Sequence, residues 1–312
     1  MKTALLHDPI FMDHDTGPGH PEQPARYRAV IDAIARAGLM ERLLVLTPRP
    51  ATDAEITVCH APEYLETARR DILAGLSMLS TGDTEVCRDS LKVATLAAGG
   101  VLNAVDAVAE RKAANAFCVV RPPGHHATRS AGMGFCVFNN IAIAARYAQK
   151  KHGIERVLIV DWDVHHGNGT QDIFYEDPTV FFFSTHQFPW YPGTGSAAET
   201  GMGNGRGYTL NCPLPAGAGR DEILGAFRDK LLPEMRRFKP EFVFISAGFD
   251  SRVDDPLGQF RLTDDDFRDL TLLMKELAHE HAGGRLVSLM EGGYNLDGLG
   301  NAAAAHVGAL LG

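Results

Sequence analysis

The sequence predicts a single α/β domain in which a parallel β-sheet is covered on both faces by helices. From residue 116 onward, short apolar segments typical of strands alternate with longer segments of helical periodicity. The strand-like segments lack the sustained apolar and polar alternation of a sheet that faces water on one side. Because no change in composition indicates a domain boundary, residues 1–312 are expected to form one domain.

The individual elements follow from apolar periodicity and from the positions of Gly and Pro. The loop at 7–24 contains too many Pro and Gly residues to be regular, and the segment 80–86 is also predicted to be a loop. Apolar positions recur at helical spacing from residue 25, and Gly38 ends that pattern. The predicted strands are 1–6, 116–120, 156–161, 179–184, 241–246 and 285–290, and the predicted helices are 25–37, 62–75, 89–111, 139–151, 221–237, 263–281 and 298–311.

Composition narrows the classes of protein and partner. Apolar residues make up 45% and charged residues 22%, which is ordinary for a globular protein with a sizeable core. The formal net charge of −9 argues against a nucleic-acid or anionic-membrane surface and is compatible with cationic substrates. Without an internal repeat, a solenoid is disfavoured.

Cysteine usage and hydropathy suggest a cytoplasmic protein. The five cysteines form no C-x-x-C pair, and most lie in apolar segments, so we expect buried thiols in a reducing compartment. The N-terminal apolar stretch is too short for a signal peptide. No apolar run approaches the roughly 18 residues of a membrane span, so no membrane partner is expected.

Four of the predicted strands run directly into polar clusters. In an open α/β sheet the ligand crevice lies beyond the carboxyl ends of the strands, so these clusters are expected to converge in space. The clusters are Arg121–His126, Asp161–His166, the segment 247–250 that ends in Asp250, and Glu291–Asn295.

Asp161, Asp163 and His165 alternate at the end of an apolar run and share one face if the strand continues through them. Buried carboxylates on one face repel each other unless a cation or hydrogen-bond donors separate them. Asp163, His165 and Asp250 fit a catalytic zinc site, although Fe(II), Mn(II) and Co(II) also suit this donor set. The alternative for Asp163 and His165 is that they cap the loop after the strand, and the alternative for Asp250 is a helix N-cap or a turn carboxylate.

Two adjacent histidines and one tyrosine provide candidate catalytic groups. His125 and His126 follow a rigid Pro-Pro-Gly turn and have the side chain best suited to acid–base chemistry near neutrality. Asp161 and Asn168 are available as their partners, and a carboxylate partner favours imidazolium more than an amide does. Tyr294 follows two glycines and can donate to an oxyanion opposite a metal. Surface positions are the alternative for one histidine and for the tyrosine.

These motifs together resemble those of the zinc-dependent histone deacetylase family. That family includes bacterial deacetylase-like amidohydrolases and acetylpolyamine amidohydrolases on an arginase-type fold, and the match extends over nearly the whole chain. Asn168 and the DDPLG segment resemble the class II members. The motifs are HPEQPARY at 20–27, CHAPEYLE at 59–66, RPPGHHA at 121–127, GFCVFNN at 134–140, DWDVHHGNGT at 161–170, SAGFD at 246–250, DDPLG at 254–258 and EGGYN at 291–295.

The resemblance implies a three-layer α/β/α fold with a central eight-stranded parallel sheet. It implies zinc held by Asp163, His165 and Asp250, and His126 as general base and then acid. It also implies His125 as the electrostatic neighbour of His126, paired to Asp161, and Tyr294 as oxyanion donor.

The resemblance also implies a narrow acyl-lysine tunnel and structural potassium ions. Gly134, Phe135 and Tyr191 match its walls, with Asp83 and Leu257 at its rim. Phe is commoner than Tyr in the family at position 191, so the resemblance does not fix the width of the tunnel. The positions that match the potassium ligands are Asp161, Asp163, His165, Ser184 and Thr185 for one ion, and Phe174, Asp177, Val180 and Tyr208 for the other.

The function predicted from these residues is metal-dependent removal of acetyl or related acyl groups from lysine-like primary amines, in peptides or small molecules. An acetylpolyamine amidohydrolase and a catalytically idle acyl-lysine binding module are the alternatives. A two-manganese ureohydrolase is disfavoured because Asp254 and Asp255 are not spaced as bridging ligands. Since Leu257 stands where polyamine-selective relatives can carry glutamate, peptides are expected to be the better substrates. The oligomeric state is not predicted.

Overall fold

Eight parallel strands form one sheet in the computed structural model, which describes residues 1–312. The strands are β1 (Ala4–Leu6), β2 (Leu44–Leu46), β3 (Ala116–Cys118), β4 (Val157–Asp161), β5 (Val180–Gln187), β6 (Thr209–Leu214), β7 (Phe242–Ala247) and β8 (Leu286–Met290). Their order across the sheet is β2-β1-β3-β8-β7-β4-β5-β6. The parallel α/β sheet expected from the sequence is therefore confirmed.

Ten α-helices flank this sheet. They are α1 (Ala25–Arg36), α2 (Asp53–Ile56), α3 (Pro62–Leu73), α4 (Ser90–Ala109), α5 (Asn140–His152), α6 (Asn168–Phe174), α7 (Arg220–Gly225), α8 (Leu232–Phe238), α9 (Asp264–His281) and α10 (Leu296–Leu311). Helices α1 and α9 pack against α10, and α4 packs against α5. Because helices flank the sheet, its strands can be apolar at successive positions.

The central strands lie inside one continuous hydrophobic core of 85 buried residues. Every residue of β4, β5, β7 and β8 is buried. Strands β3, β8, β7 and β4 are consecutive in the sheet, and they are the four strands that precede the polar clusters of the sequence. The core thus brings those clusters to one edge of the sheet, as the strand-end argument predicts.

The two edge strands, β2 and β6, were not predicted. Strand β2 has only three residues, none of which is fully buried, so it lacks the apolar signal of a central strand. Strand β6 contains Asn211 and Pro213, and proline is tolerated at a sheet edge because its missing N–H is not needed there. Helices α2 and α6 were also missed, because four and seven residues are too few to establish helical periodicity.

The helix predicted at 221–237 is interrupted. Helix α7 is followed by a π-helical segment at Ala226–Leu231, and α8 begins beyond it with Pro233 in its first turn. Proline has no backbone N–H to donate into the preceding turn, which is compatible with a change of helical hydrogen bonding at this point.

The expectation that no apolar run approaches the length of a membrane span was wrong for helix α4. By length and composition this helix could cross a membrane, but 67% of its apolar window is buried inside the protein. Its apolar residues pack into the hydrophobic core, so the helix has an ordinary structural explanation. The cysteines are all free thiols, and four are buried, whereas Cys87 is partly exposed.

Candidate active site

The polar clusters converge on a cavity of about 310 Å³ at the carboxyl edge of the sheet. The cavity is lined by residues from seven separate segments of the chain, which explains why no single motif describes it. The lining residues are Asp83, His126, Gly134, Phe135, His165, Trp190, Tyr191, Pro256, Leu257 and Tyr294.

A buried cluster of two carboxylates and one imidazole lies at this cavity. His165 Nδ1 is 3.1 Å from Asp163 Oδ1 and 3.1 Å from Asp250 Oδ2. One candidate ligand atom from each residue lies within 4.8 Å of the others, and all three residues are buried. Such a set of one nitrogen and two carboxylates can bind a divalent metal ion.

The two carboxylates of the cluster carry buried negative charge that shifts the pKa values within it. Burial and the neighbouring charge of Asp163 raise the pKa of Asp250 to about 7. Although burial lowers the pKa of His165, its bonds to Asp163 and Asp250 raise that pKa to about 10. Both shifts reflect the buried negative charge of the two carboxylates, and a divalent ion bound by the three residues would offset that charge.

Backbone donors fix the two carboxylates. The Gly292 N–H donates to Asp163 Oδ2 at 2.8 Å, and the Val164 N–H donates to Asp250 Oδ1 at 2.9 Å. A Cβ on Gly292 would lie 2.0 Å from Asp250 Oδ2, and one on Gly248 would lie 2.1 Å from Asp163 Oδ2. Only glycine leaves room for the carboxylates at these positions, a role that was not predicted from the sequence.

The alternating residues Asp161, Asp163 and His165, which predicted this site, extend beyond the end of strand β4. Strand β4 ends at Asp161, and Asp163 and His165 lie in the loop that follows. Instead of strand geometry, short local bonds align them. The Asp163 N–H donates to Asp161 Oδ1 at 3.0 Å, and the His165 N–H donates to Asp163 Oδ1 at 2.9 Å. The premise of a continued strand was wrong, although the loop still brings Asp163 and His165 together.

The adjacent histidines have different partners. His125 Nδ1 is 2.9 Å from Asp161 Oδ2, whereas His126 Nδ1 is 2.8 Å from Asn168 Oδ1. Burial lowers the pKa of His125, but the charges of Asp163 and Asp161 outweigh this and raise it well above its usual value. Burial, His125 and His165 lower the pKa of His126 well below its usual value. The first imidazole is therefore charged and the second is neutral.

Glu291 supports the turn that carries both histidines. Its Oε2 accepts from the Gly124 N–H at 2.7 Å and from the His125 N–H at 3.2 Å, while Ser246 donates to Oε1 at 2.9 Å. Burial raises the pKa of Glu291 to about 7. Glu291 belongs to a strand-end cluster of the sequence, but its role could not be predicted there because its partners are distant in the chain.

Tyr294 reaches the cavity on a loop held from two sides. Its N–H donates to Asp255 Oδ2 at 2.7 Å, and the guanidinium carbon of Arg26 lies 4.9 Å from the centre of its ring. Arg26 also donates to the carbonyl oxygens of Gly293 at 2.7 Å and Glu291 at 2.5 Å. Burial raises the pKa of the Tyr294 hydroxyl well above its usual value, so the phenol stays protonated.

A fully buried ion network anchors Arg26 and was not predicted. Glu22 lies between Arg26 at 2.9 Å and Arg121 at 2.6 Å. Although burial raises the pKa of Glu22, the charge of Arg121, the nearby His14 and the charge of Arg26 hold that pKa well below its usual value. Glu22 falls in the predicted loop at 7–24 and Arg26 in the predicted helix at 25–37, and neither segment carries a local signal of burial.

The predicted rim residues surround the mouth of the cavity. Phe135 has a positive φ of 67° and lies 6.0 Å from Tyr294, measured between ring centres. Asp83 Oδ1 accepts from the Gly134 N–H at 2.7 Å, and Asp83 Oδ2 accepts from the Tyr191 hydroxyl at 3.0 Å. Gly134 packs directly on His126, since a Cβ there would lie 2.3 Å from its Cδ2.

The residues matched to potassium ligands fall at two places along β5. Ser184 pairs in register with Asp161, and the buried Oγ1 of the adjacent Thr185 has no hydrogen-bond partner. The other set lies near the start of the strand, where the chain leaves α6. It comprises Phe174 at the end of α6, Asp177 in the connection, Val180 at the start of β5, and Tyr208, whose ring lies 6.3 Å from that of Phe181.

The parallel sheet and the buried carboxylate–imidazole cluster define an α/β enzyme with a candidate metal centre. Residues 20–310 match the histone deacetylase domain, and the chain belongs to the histone deacetylase family. The structure resembles the crystal structure of the HDA15 HD domain, with a TM-score of 0.94, 38% identity, and coverage of 99% of this chain and 88% of that one.

Two relatives that are similar in sequence also belong to the deacetylases. The histone deacetylase-like amidohydrolase of Pseudomonas aeruginosa is 38% identical over 314 residues, covering 94% of this chain and 82% of that protein. The human polyamine deacetylase HDAC10 is 41% identical over 302 residues, covering 93% of this chain and 44% of that protein. The chain is a deacetylase, an amidohydrolase of a generally metal-dependent family.

Proposed function

We propose that this deacetylase uses zinc to remove acetyl or related acyl groups from lysine-like primary amines. The observation that carries the proposal is the position of His126 beside the buried cluster of Asp163, His165 and Asp250, at one apolar-walled cavity. Iron, manganese or cobalt would also suit the three donors. When bound, the ion supplies a Lewis acid that polarises the amide carbonyl and activates water.

His126 is proposed to move the proton. Because Asn168 Oδ1 can only accept, His126 Nδ1 carries the hydrogen and Nε2 is free to take a proton from the attacking water. The same nitrogen then returns the proton to the leaving amine. His125 cannot take this role as readily, since its bond to Asp161 and the charge of Asp163 keep it protonated.

Tyr294 is proposed to donate a hydrogen bond to the oxyanion that forms on the substrate carbonyl. Its hydroxyl remains protonated, and Arg26 and Asp255 hold its backbone and ring in place before substrate arrives. Pre-positioned donors of this kind stabilise developing charge more than mobile ones do. The presence of Tyr294 supports a working enzyme over an idle acyl-lysine binding module.

The shape of the cavity supports a linear, lysine-like substrate. Phe135 and Tyr191 provide aromatic walls next to His126, and Leu257 provides an apolar rim. Acetylated polyamines are the second candidate, because the human relative is named a polyamine deacetylase and Asp83 offers one carboxylate at the mouth. Leu257 lacks the charge that would hold a distant ammonium, which favours acyl-lysine peptides.

We also propose that the protein binds the structural potassium ions of the family and that it is located in the cytoplasm. The buried, unpartnered Oγ1 of Thr185 beside Ser184 supports an ion near Asp161. At the second position, Asp177 already pairs with Arg146 at 2.5 Å. The five free thiols are compatible with a reducing compartment.

No second cluster of three metal-binding side chains accompanies the first, which supports one catalytic metal over a two-manganese ureohydrolase.

The proposed function is tested by loading the protein with zinc and measuring acetate release. The panel contains acyl-lysine peptides, acetylated polyamines and small acetamides. We expect hydrolysis of acyl-lysine peptides with the highest kcat/KM. Hydrolysis of acetylspermidine at least tenfold more efficiently than every peptide would contradict the peptide assignment, and no hydrolysis of any amide would contradict the proposed zinc-dependent activity.

A further inference from the structure

Trp190 and Tyr191 are adjacent residues that connect one wall of the cavity to two different rim loops. The Tyr191 hydroxyl donates to Asp83 Oδ2 at 3.0 Å. The Trp190 Nε1–H donates to the carbonyl oxygen of Leu257 at 2.9 Å. Both side chains are more than a third exposed, so these bonds lie at the mouth rather than in the core.

Two hydrogen bonds hold the segment that follows Tyr191. His166 Nδ1 is 2.8 Å from Thr194 Oγ1, and His186 Nε2 is 2.8 Å from the carbonyl oxygen of Gly195. The Tyr191 ring itself packs edge-on against His126, with ring centres 5.2 Å apart. With backbone and ring both supported, the hydroxyl is held in position to bond to Asp83.

Asp83 is the only acidic residue that lines the cavity. Each of its carboxylate oxygens already accepts one neutral donor, Gly134 N–H on Oδ1 and the Tyr191 hydroxyl on Oδ2. Burial and the nearby carboxylate raise the pKa of Tyr191, so its hydroxyl remains a donor throughout the working pH range. A substrate ammonium that reaches the mouth therefore has to share or displace an existing bond.

We infer that Tyr191 is a specificity-determining residue whose hydroxyl, by occupying Asp83, reduces selection for acylated amines that carry a second ammonium group. The bond weakens Asp83 as an acceptor and ties the loop at 80–86 to the opposite wall. Tyr191→Phe removes the donor but keeps the aromatic wall. This inference rests on the proposed function, because it concerns the substrates of the same cavity.

The test compares N-acetylated α,ω-diamines of increasing length with N-acetylalkylamines of the same length, using the zinc-loaded enzyme. The readout is the ratio of kcat/KM for each pair, which isolates the contribution of the ammonium group. A hydrogen bond to a charged group is strong enough for Tyr191→Phe to raise this ratio about 5–20-fold at the best chain length. The change is expected in KM, since Asp83 does not touch the reacting atoms.

Asp83→Asn and the double variant determine whether the effect passes through the carboxylate. Asp83→Asn should abolish the ammonium preference, and Tyr191→Phe should have no further effect on the ratio in that background. Tyr147→Phe is the matched control, because the Tyr147 hydroxyl donates to Asp106 at the same 3.0 Å outside the cavity. It should leave the ratio unchanged.

Two results would overturn the inference. One is a ratio in Tyr191→Phe that falls or stays within about twofold of the wild-type ratio. The other is a rise that persists after Asp83→Asn. If the wild-type enzyme hydrolyses neither member of any pair nor an acyl-lysine peptide, the proposed function fails instead. The two failures are therefore distinguishable.

Discussion

His126 Nδ1 lies 2.8 Å from the side-chain amide oxygen of Asn168, and this contact separates the role of His126 from that of its neighbour. An amide oxygen stabilises a neutral, Nδ1-protonated imidazole without adding a negative charge. The neighbouring His125 bonds to the Asp161 carboxylate and is held as imidazolium. Two identical side chains at adjacent positions thus have different protonation states.

The first prediction follows from this difference. His126→Ala should lower kcat by about 10²–10⁴, because the neutral imidazole is the available base and acid. His125→Ala should be milder, since His125 acts through its charge. Steady-state kinetics with an acetyl-lysine peptide, alongside a metal assay of both variants, measures this. A mild His126→Ala effect with a severe His125→Ala effect would reverse the assigned roles.

The second prediction concerns Tyr294. Tyr294→Phe removes one hydroxyl but keeps the ring under Arg26, so the fold and bound metal should be retained. Loss of an oxyanion donor should lower kcat by about 10²–10³ with a smaller change in KM. Thermal unfolding and metal content serve as controls. Unchanged kcat would mean that the phenol does not contact the oxyanion.

The third prediction uses the close approach of Gly292 to the metal cluster. In Gly292→Ala the added Cβ would lie 2.0 Å from Asp250 Oδ2 and 2.6 Å from Asp163 Oδ2, so one carboxylate must move. We expect at least tenfold weaker zinc binding, as 1.4 kcal/mol of displacement energy already gives about this factor.

The matched control for Gly292→Ala is Gly308→Ala. Gly308 lies in α10, and its nearest neighbour would be 4.0 Å from the new Cβ. Competition with a chromogenic chelator measures zinc affinity in both variants. Equal affinity in the wild-type protein and Gly292→Ala would show that the cluster does not depend on this glycine.

The fourth prediction concerns Leu257 at the rim. Leu257→Glu places a carboxylate near Asp83 at the cavity mouth, where it can attract the distant ammonium of a polyamine. The ratio of kcat/KM for N-acetylspermidine to that for an acetyl-lysine peptide should rise about tenfold, with Leu257→Gln as the uncharged control. Because exposed charges are screened over about 10 Å at 0.1 M salt, the rise should shrink at higher salt. An equal rise in both variants would rule out charge as the cause.

The sequence predicted the central sheet and the strand-end clusters because both have local signals. Apolar runs such as Val157–Val160 identify buried strands, and the polar residues that follow them stand out against that background. The edge strands β2 and β6 have no such contrast, since no residue of β2 and only three of the six residues of β6 are buried.

Features that depend on contacts between distant segments could not be predicted in this way. Glu22 and Arg121 are separated by 99 positions, and nothing in either segment indicates that both are fully buried. The space around Gly292 is set by Asp163 and Asp250, which come from two other loops. The bond between Tyr191 and Asp83 likewise joins loops 108 residues apart.

The central claim is that Asp163, His165 and Asp250 together hold one catalytic metal ion. The most direct measurement is zinc content by elemental analysis, made on the same samples of wild-type protein, His165→Ala and Asp250→Ala that are assayed for acetyl-lysine hydrolysis. We expect about one equivalent of zinc and full activity in the wild-type protein, with both lost together in each variant. One full, tightly held equivalent of zinc in both variants would contradict the account.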